Sequence, residues 1–154
     1  MNTMTTAVAV VGILSTAVIY GTDLFCALIV RPAAGGAADS SIADLIGRIH
    51  EYGDRRLPVP GVVSIIAAAL AIALSDGTLA RIAAATALVA LLAWLAIYVR
   101  ISAPINKRLR AAAADHTVPA DTKELQQRWD GVIWLRTALQ AIALVGLLAV
   151  IVTN

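Results

Sequence analysis

Two ionisable residues stand where a charge is costly. Asp23 lies inside the first long apolar run of the chain, eight residues before Arg31, and Arg136 lies inside the last one, six residues after Asp130. At the rise of an α-helix these offsets correspond to roughly 12 Å and roughly 9 Å from the helix ends, so the two side chains sit at a similar depth. An ionisable group inside an apolar span is a functional hypothesis by default. The pair is therefore expected to point inward and meet, directly or through a polar cluster. A neutralised couple that only fixes helix packing accounts for the same residues equally well. Tyr20, three residues before Asp23, shares its helix face.

A second group is Arg48, His50, Glu51, Tyr52, Asp54, Arg55 and Arg56. Charges of this kind usually meet water and lipid headgroups, and a lone histidine is more often a surface or packing residue than a ligand. Turned toward the mouth of a bundle, His50 can serve as a general base or as an axial ligand to haem iron. It is then the one metal-ligand candidate. Tyr52, Arg55, Trp129 and Trp134 are the residues expected to hold such a cofactor. Interfacial placement of Tyr and Trp accounts for Trp129 and Tyr98, whereas Trp94 and Trp134 lie deeper and can wall an apolar pocket. His116 falls in a loop.

Other chemistries lack their residues. No His-x-x-x-His or Glu-x-x-His pair suits a two-metal bundle. No glycine-rich phosphate loop follows a strand. No Cys-His or Ser-His-Asp set is apparent, and there is no regular arginine ladder. Cys26 is the single cysteine, which excludes an intramolecular disulfide and a Cys-rich metal site.

The elements that must position these residues follow from charge and hydropathy. The chain has 154 residues, 60% apolar and 14% charged. A soluble domain has about a quarter of its residues charged, so lipid is the expected solvent. The charge pattern also excludes nucleic acid, because no basic surface lies on a soluble body. Four Lys or Arg residues (31, 48, 55, 56) and six more (100, 107, 108, 110, 123, 128) fill two stretches, leaving only Arg81 and Arg136 of the twelve elsewhere. Loops rich in Lys and Arg stay in the cytoplasm. The expected fold is an all-α, antiparallel four-helix transmembrane bundle with amphipathic cytoplasmic segments. It forms a single domain with spans at about 6–30, 57–75, 79–101 and 131–152. Loops one and three are inside a bacterial plasma membrane and both termini outside.

Local signals refine this. Arg31-Pro32 is expected to end the first helix and Pro104 to follow the end of the third. Ile42, Leu45, Ile46 and Ile49 mark one helical face within 40–52. Ser41 and Asp44 resemble a capping box there. That piece either lies on the inner leaflet or extends helix two, with a bend near Gly53, Pro58 and Pro60. Thr78 reads as a cap. Residues 119–129 read as an amphipathic helix leading into the last span.

Pro104-x-Asn106-x-x-Leu109, followed by Trp129 and by Arg136-Thr137 seven and eight residues later, resembles the anthrone oxygenase-like family of small four-helix membrane proteins. Tyr52-Gly53, Pro58 and Val30-Arg31-Pro32 fit the same pattern. The chain departs from it between Trp129 and Arg136, where Ile133 and Trp134 stand in place of an Asn and a His. The resemblance implies oxidation by O2 of an apolar aromatic or quinone-like substrate at the cytoplasmic mouth. Asn106 and Arg136 would hydrogen-bond its oxygen, and His50 or Asp23 would take a proton. It demands no cofactor, while a bundle with an inward histidine can also hold haem. Membrane lipid, the apolar substrate and further copies of the chain in a homo-oligomer are the expected partners. A non-catalytic membrane subunit or lipid-binding scaffold is the alternative. A small transporter is a third reading, and it would need several copies of the chain to form a pore.

Overall fold

The computed structural model describes residues 3–154, which form five helices. These are α1 (Thr3–Gly35), α2 (Asp39–Arg56), α3 (Pro58–Leu74), α4 (Thr78–Ala114) and α5 (Thr122–Thr153). No strand occurs among the described residues. The helices α1, α4 and α5 contain 33, 37 and 32 residues and are each long and apolar enough to cross a membrane. α3 has 17 residues and reaches that length only together with α2, from which it bends by 42°. The bend falls at Leu57, ahead of Pro58 and Pro60, as their lost N–H groups lead one to expect. The last ten residues of α2, Gly47–Arg56, include Arg48, His50, Glu51, Asp54, Arg55 and Arg56. So polar a segment does not belong in hydrocarbon.

Two helices run further than the prolines suggest. α1 continues through Pro32 to Gly35, and α4 continues through Pro104 to Ala114. The reason is the same in both. A π-helical turn at Cys26–Val30 ends two residues before Pro32, and another at Tyr98–Ser102 ends two residues before Pro104. The N–H of Arg31 donates to the Cys26 carbonyl and that of Ala103 to the Tyr98 carbonyl, each five residues back. The widened turn takes up the missing proline donor and the ring that would strike the carbonyl four residues earlier. A third π-turn, Ile42–Ile46, lies in α2.

Three smaller expectations are also corrected. Ser41 is not a cap, because α2 begins at Asp39, and Asp44 instead pairs with Arg48 at 2.9 Å. Thr78 is the first residue of α4, behind Gly77 with no side-chain cap. Residues 122–130 are the first turns of α5 rather than a separate helix, and Gly131 does not interrupt it.

Small residues let the helices come close, as membrane helices require. α1 packs against α3 and α5, and α4 against α3 and α5. Ala9, Ala71, Ala84 and Val150 form one core layer, and Ile19, Ala68, Ala87, Leu91, Ala143 and Leu147 belong to the next. At one end the Thr5 hydroxyl donates to the Leu74 carbonyl (2.8 Å) and the Asp76 N–H to Asn154 (3.1 Å). The start of α1, the α3–α4 turn and the C-terminus therefore lie together. At the other end α2 packs on the last turns of α4. Ile42, Ile46, Ile105, Leu109, Leu125, Trp129 and Ile133 enclose the third layer there. Gly47 makes that crossing close, since a Cβ on it would run into the Leu109 carbonyl and the Ala113 side chain.

Candidate functional site

The buried charges define the floor of the site. Asp23 on α1 and Arg136 on α5 meet at 2.9 Å, 3% and 5% exposed. Their common depth is what brings them together. Asp23 Oδ2 also accepts hydrogen bonds from Gln140 (3.0 Å) and from the Trp94 indole (3.4 Å). Arg136 donates to the Ser102 hydroxyl at 2.8 Å, and its guanidinium lies over the rings of Trp129 (5.4 Å) and Tyr98 (5.8 Å). A lone charge in this layer would be expensive, and here both terminal nitrogens of the guanidinium have an acceptor and its plane lies over two rings, while Nε is left without a partner. Tyr20 does not join this cluster. Gln140 does, one helical turn beyond Arg136, and it occupies the place that Tyr20 was expected to take.

A second polar set lies toward α2. Asp54 Oδ1 accepts hydrogen bonds from the Tyr98 hydroxyl (2.7 Å) and from Asn106 Nδ2 (2.8 Å), and Arg110 stands 3.7 Å from Oδ2. Asp54 lies four residues after His50, so both face the same way on α2. His50 is buried, 7% exposed, with its ring 5.3 Å from that of Trp129. Burial pushes its imidazole down to about 4, partly against the pull of the Asp54 charge. His50 is therefore neutral at physiological pH, a form that can accept a proton or a hydrogen bond.

Between the two sets is a cavity of about 200 Å³ to which all five helices contribute. Its wall is mostly aliphatic and aromatic, with Ile46, Leu57, Ile65, Trp94 and Tyr98 among the lining residues. Ile49 and Val62 also line it and are 40% and 55% exposed, so an apolar rim opens between α1 and the α2–α3 bend.

The polar atoms of the cavity are incompletely satisfied. His50 Nε2, Asn106 Oδ1, Gln126 Oε1, Trp129 Nε1 and Arg136 Nε are all buried without a hydrogen-bond partner, and all five residues line the cavity. The amide orientations are fixed by their partners. Asn106 and Gln126 each direct their NH2 at a carboxylate, Asp54 and Asp130 respectively, which leaves their oxygens open. Buried polar atoms without partners are costly, at about 1–3 kcal/mol each. Five of them line one apolar hollow: two amide oxygens that accept, two N–H groups that donate, and one imidazole nitrogen that can do either. No family model matches the chain, and no curated protein or solved structure matches it either.

Of the residues singled out by sequence, Asp23, His50, Asn106, Arg136 and Trp129 line this cavity, as does Trp94. Three others do not. Tyr52 is 53% exposed and lies under the Arg56 guanidinium. Arg55 reaches back to Glu51 at 2.8 Å on the outer face of α2. Trp134 is 48% exposed on the outside of α5, because Trp129 and Ile133 take the inward positions of that helix. His116 is exposed in the turn after α4, with a positive φ of 51°. Sequence reasoning named Asp54 in its polar stretch without giving it a role, and missed Gln126, Gln140 and Ser102. For three of these four the signal is a polar residue one turn from another inward polar residue: His50 to Asp54, Arg136 to Gln140, and Ser102 to Asn106.

Haem does not fit here. The hollow is smaller than the roughly 300–1,000 Å³ of pockets for drug-sized ligands, and Trp129 packs against the imidazole ring that would have to ligate iron. Among the described residues no group of three His, Cys, Asp or Glu side chains is placed to hold a metal ion.

Proposed function

We propose that the protein is an antiparallel bundle of four membrane spans that binds a small, lipid-soluble ring compound in this cavity and oxidises it with O2 without haem. The observation that carries this reading is the set of five unpartnered polar atoms inside an aromatic-walled hollow whose rim is apolar. Such a substrate partitions into lipid and reaches the cavity past Ile49 and Val62. The volume suits a compound somewhat larger than benzene, which fills an apolar cavity of about 150 Å³. The resemblance of Pro104, Asn106, Leu109, Trp129, Arg136 and Thr137 to the anthrone oxygenase-like pattern supports the oxygen chemistry.

The residues then have distinct roles. A ring methylene beside a carbonyl gives a proton to His50 Nε2, and the charge moves onto the carbonyl oxygen. Arg136 Nε–H and Trp129 Nε1–H are the free donors that stabilise that oxyanion. The electron-rich anion passes one electron to O2 and the two radicals join in a C–O bond. The peroxide takes the proton back from His50 and loses water, so that CH2 and O2 become C=O and H2O. Asp23 holds Arg136 in place, and Asp54 with Asn106 and Tyr98 holds the mouth. Asn106 serves through its open carbonyl oxygen, as an acceptor for a substrate hydroxyl.

The test is turnover of an activated ketone of two fused rings, such as 2-indanone, by the detergent-purified protein, followed by oxygen uptake and absorbance of the dione product. His50→Ala should lower the rate about 100-fold or more, the usual contribution of a general base. A wild-type rate no faster than buffer, or an undiminished His50→Ala rate in folded protein, would refute the assignment.

A further inference from the structure

A second hollow lies on the outside of the molecule, between the end of α1 and the middle of α5. It has a volume of about 630 Å³, and Arg31, Gly35, Asp130, Gly131 and Trp134 are among its lining residues. It shares no residue with the cavity of the proposed site. We propose that this groove binds the headgroup of a phospholipid bearing a primary amine, with the phosphate on Arg31 and the ammonium on Asp130.

The charges point to a zwitterion. Arg31 and Asp130 line one groove, yet no ion pair forms between them. Arg31 is exposed and makes no hydrogen bond, so its guanidinium fork is open for a phosphate. Asp130 uses Oδ1 to accept from Gln126 at 2.9 Å, which leaves Oδ2 open for an ammonium donor. A headgroup with a net negative charge would place that charge against Asp130. A quaternary amine has no N–H to give it.

The groove also has the right floor and the right level. A Cβ built on Gly35 or on Gly131 meets nothing within 4 Å, so both glycines leave room for a headgroup. Arg31 and Asp130 stand where the apolar runs of α1 and α5 meet polar sequence. Trp134 and Leu28, 48% and 53% exposed, offer an indole edge and an aliphatic surface to the glycerol and acyl chain. Half-exposed indoles belong at that interface. A free phosphate would use neither Asp130 nor this apolar wall.

The experiment is lipid retention by native mass spectrometry. Intact protein is extracted from vesicles containing equal parts of phosphatidylethanolamine, phosphatidylglycerol and phosphatidylcholine. One phosphatidylethanolamine should be retained in preference to the other two. Asp130→Asn should reduce its retention about tenfold, to the level of phosphatidylglycerol, and Arg31→Gln should reduce retention of all three, as loss of one charge-assisted contact implies. The melting midpoint in lipid-free detergent controls for folding of each variant. Equal or better retention of phosphatidylglycerol, an ethanolamine preference that survives Asp130→Asn, or no retained lipid would each overturn the proposal.

Discussion

Asp23 and Arg136 tolerate burial only as a set. Removing one partner leaves the other charged, buried and unmatched, which typically costs about 3–5 kcal/mol. Arg136→Leu and Asp23→Leu should each destabilise the protein by about that much in denaturant titrations in micelles. The double variant should recover a large part of the loss, and additive losses would show that the ion pair is not the coupling. His50 carries a separate prediction. Its pKa falls from 6.5 to about 4 on folding, so the unfolded chain binds the extra proton first. The stability due to the neutral imidazole is complete above about pH 6.5 and is lost progressively as pH drops toward 4. That change in pKa corresponds to about 3 kcal/mol. His50→Gln should flatten the stability profile in that window, and an unchanged slope would place the titration elsewhere. The ion pair was legible in the sequence because a charge in a long apolar run has few neighbours to be confused with. His50 and Asp54 were not separable from Arg48, Arg55 and Arg56, since all of them belong to one polar stretch. Only the packing of α2 on α4 decides which of these side chains turn inward.

At the level of elements, Pro32 and Pro104 misled for a definite reason. Sequence rules treat a proline as a helix end because they assume regular i to i−4 bonding. Neither rule anticipates a π-turn just ahead, which carries α1 and α4 past those prolines and builds the wall on which α2 rests. The crossing itself depends on Gly47. A methyl group there meets the Leu109 backbone carbonyl, which cannot move without shifting α4. Gly47→Ala should therefore cost about 1–3 kcal/mol through overpacking. Gly21→Ala, where an added Cβ meets nothing within 4 Å, should stay within about 0.5 kcal/mol of wild type. Thermal unfolding of the two variants side by side checks this, and equal midpoints would mean that α2 does not pack as described.

For the whole molecule, the polarity of the ends is the readable quantity. Ten of the twelve Lys and Arg residues fall in the two stretches on the α2 side, and Arg81 lies near the opposite turn. A cysteine at Asp76, in a Cys26→Ala background, should react with a membrane-impermeant maleimide on intact cells. One at Lys107 should react only after permeabilisation, and the reverse labelling would invert the topology. Hydropathy alone marked α1, α4 and α5, the three helices long and apolar enough to cross a membrane, and the prolines marked the bend between α2 and α3; the structure has five helices where four spans were expected. The cavity was not visible, because it exists only where five separate segments leave a gap. The acidic and basic partners of the floor are separated by 113 residues, the full length of the intervening chain. Until α5 has been made, Asp23 therefore lacks both the guanidinium and the Gln140 amide that it meets in the folded protein.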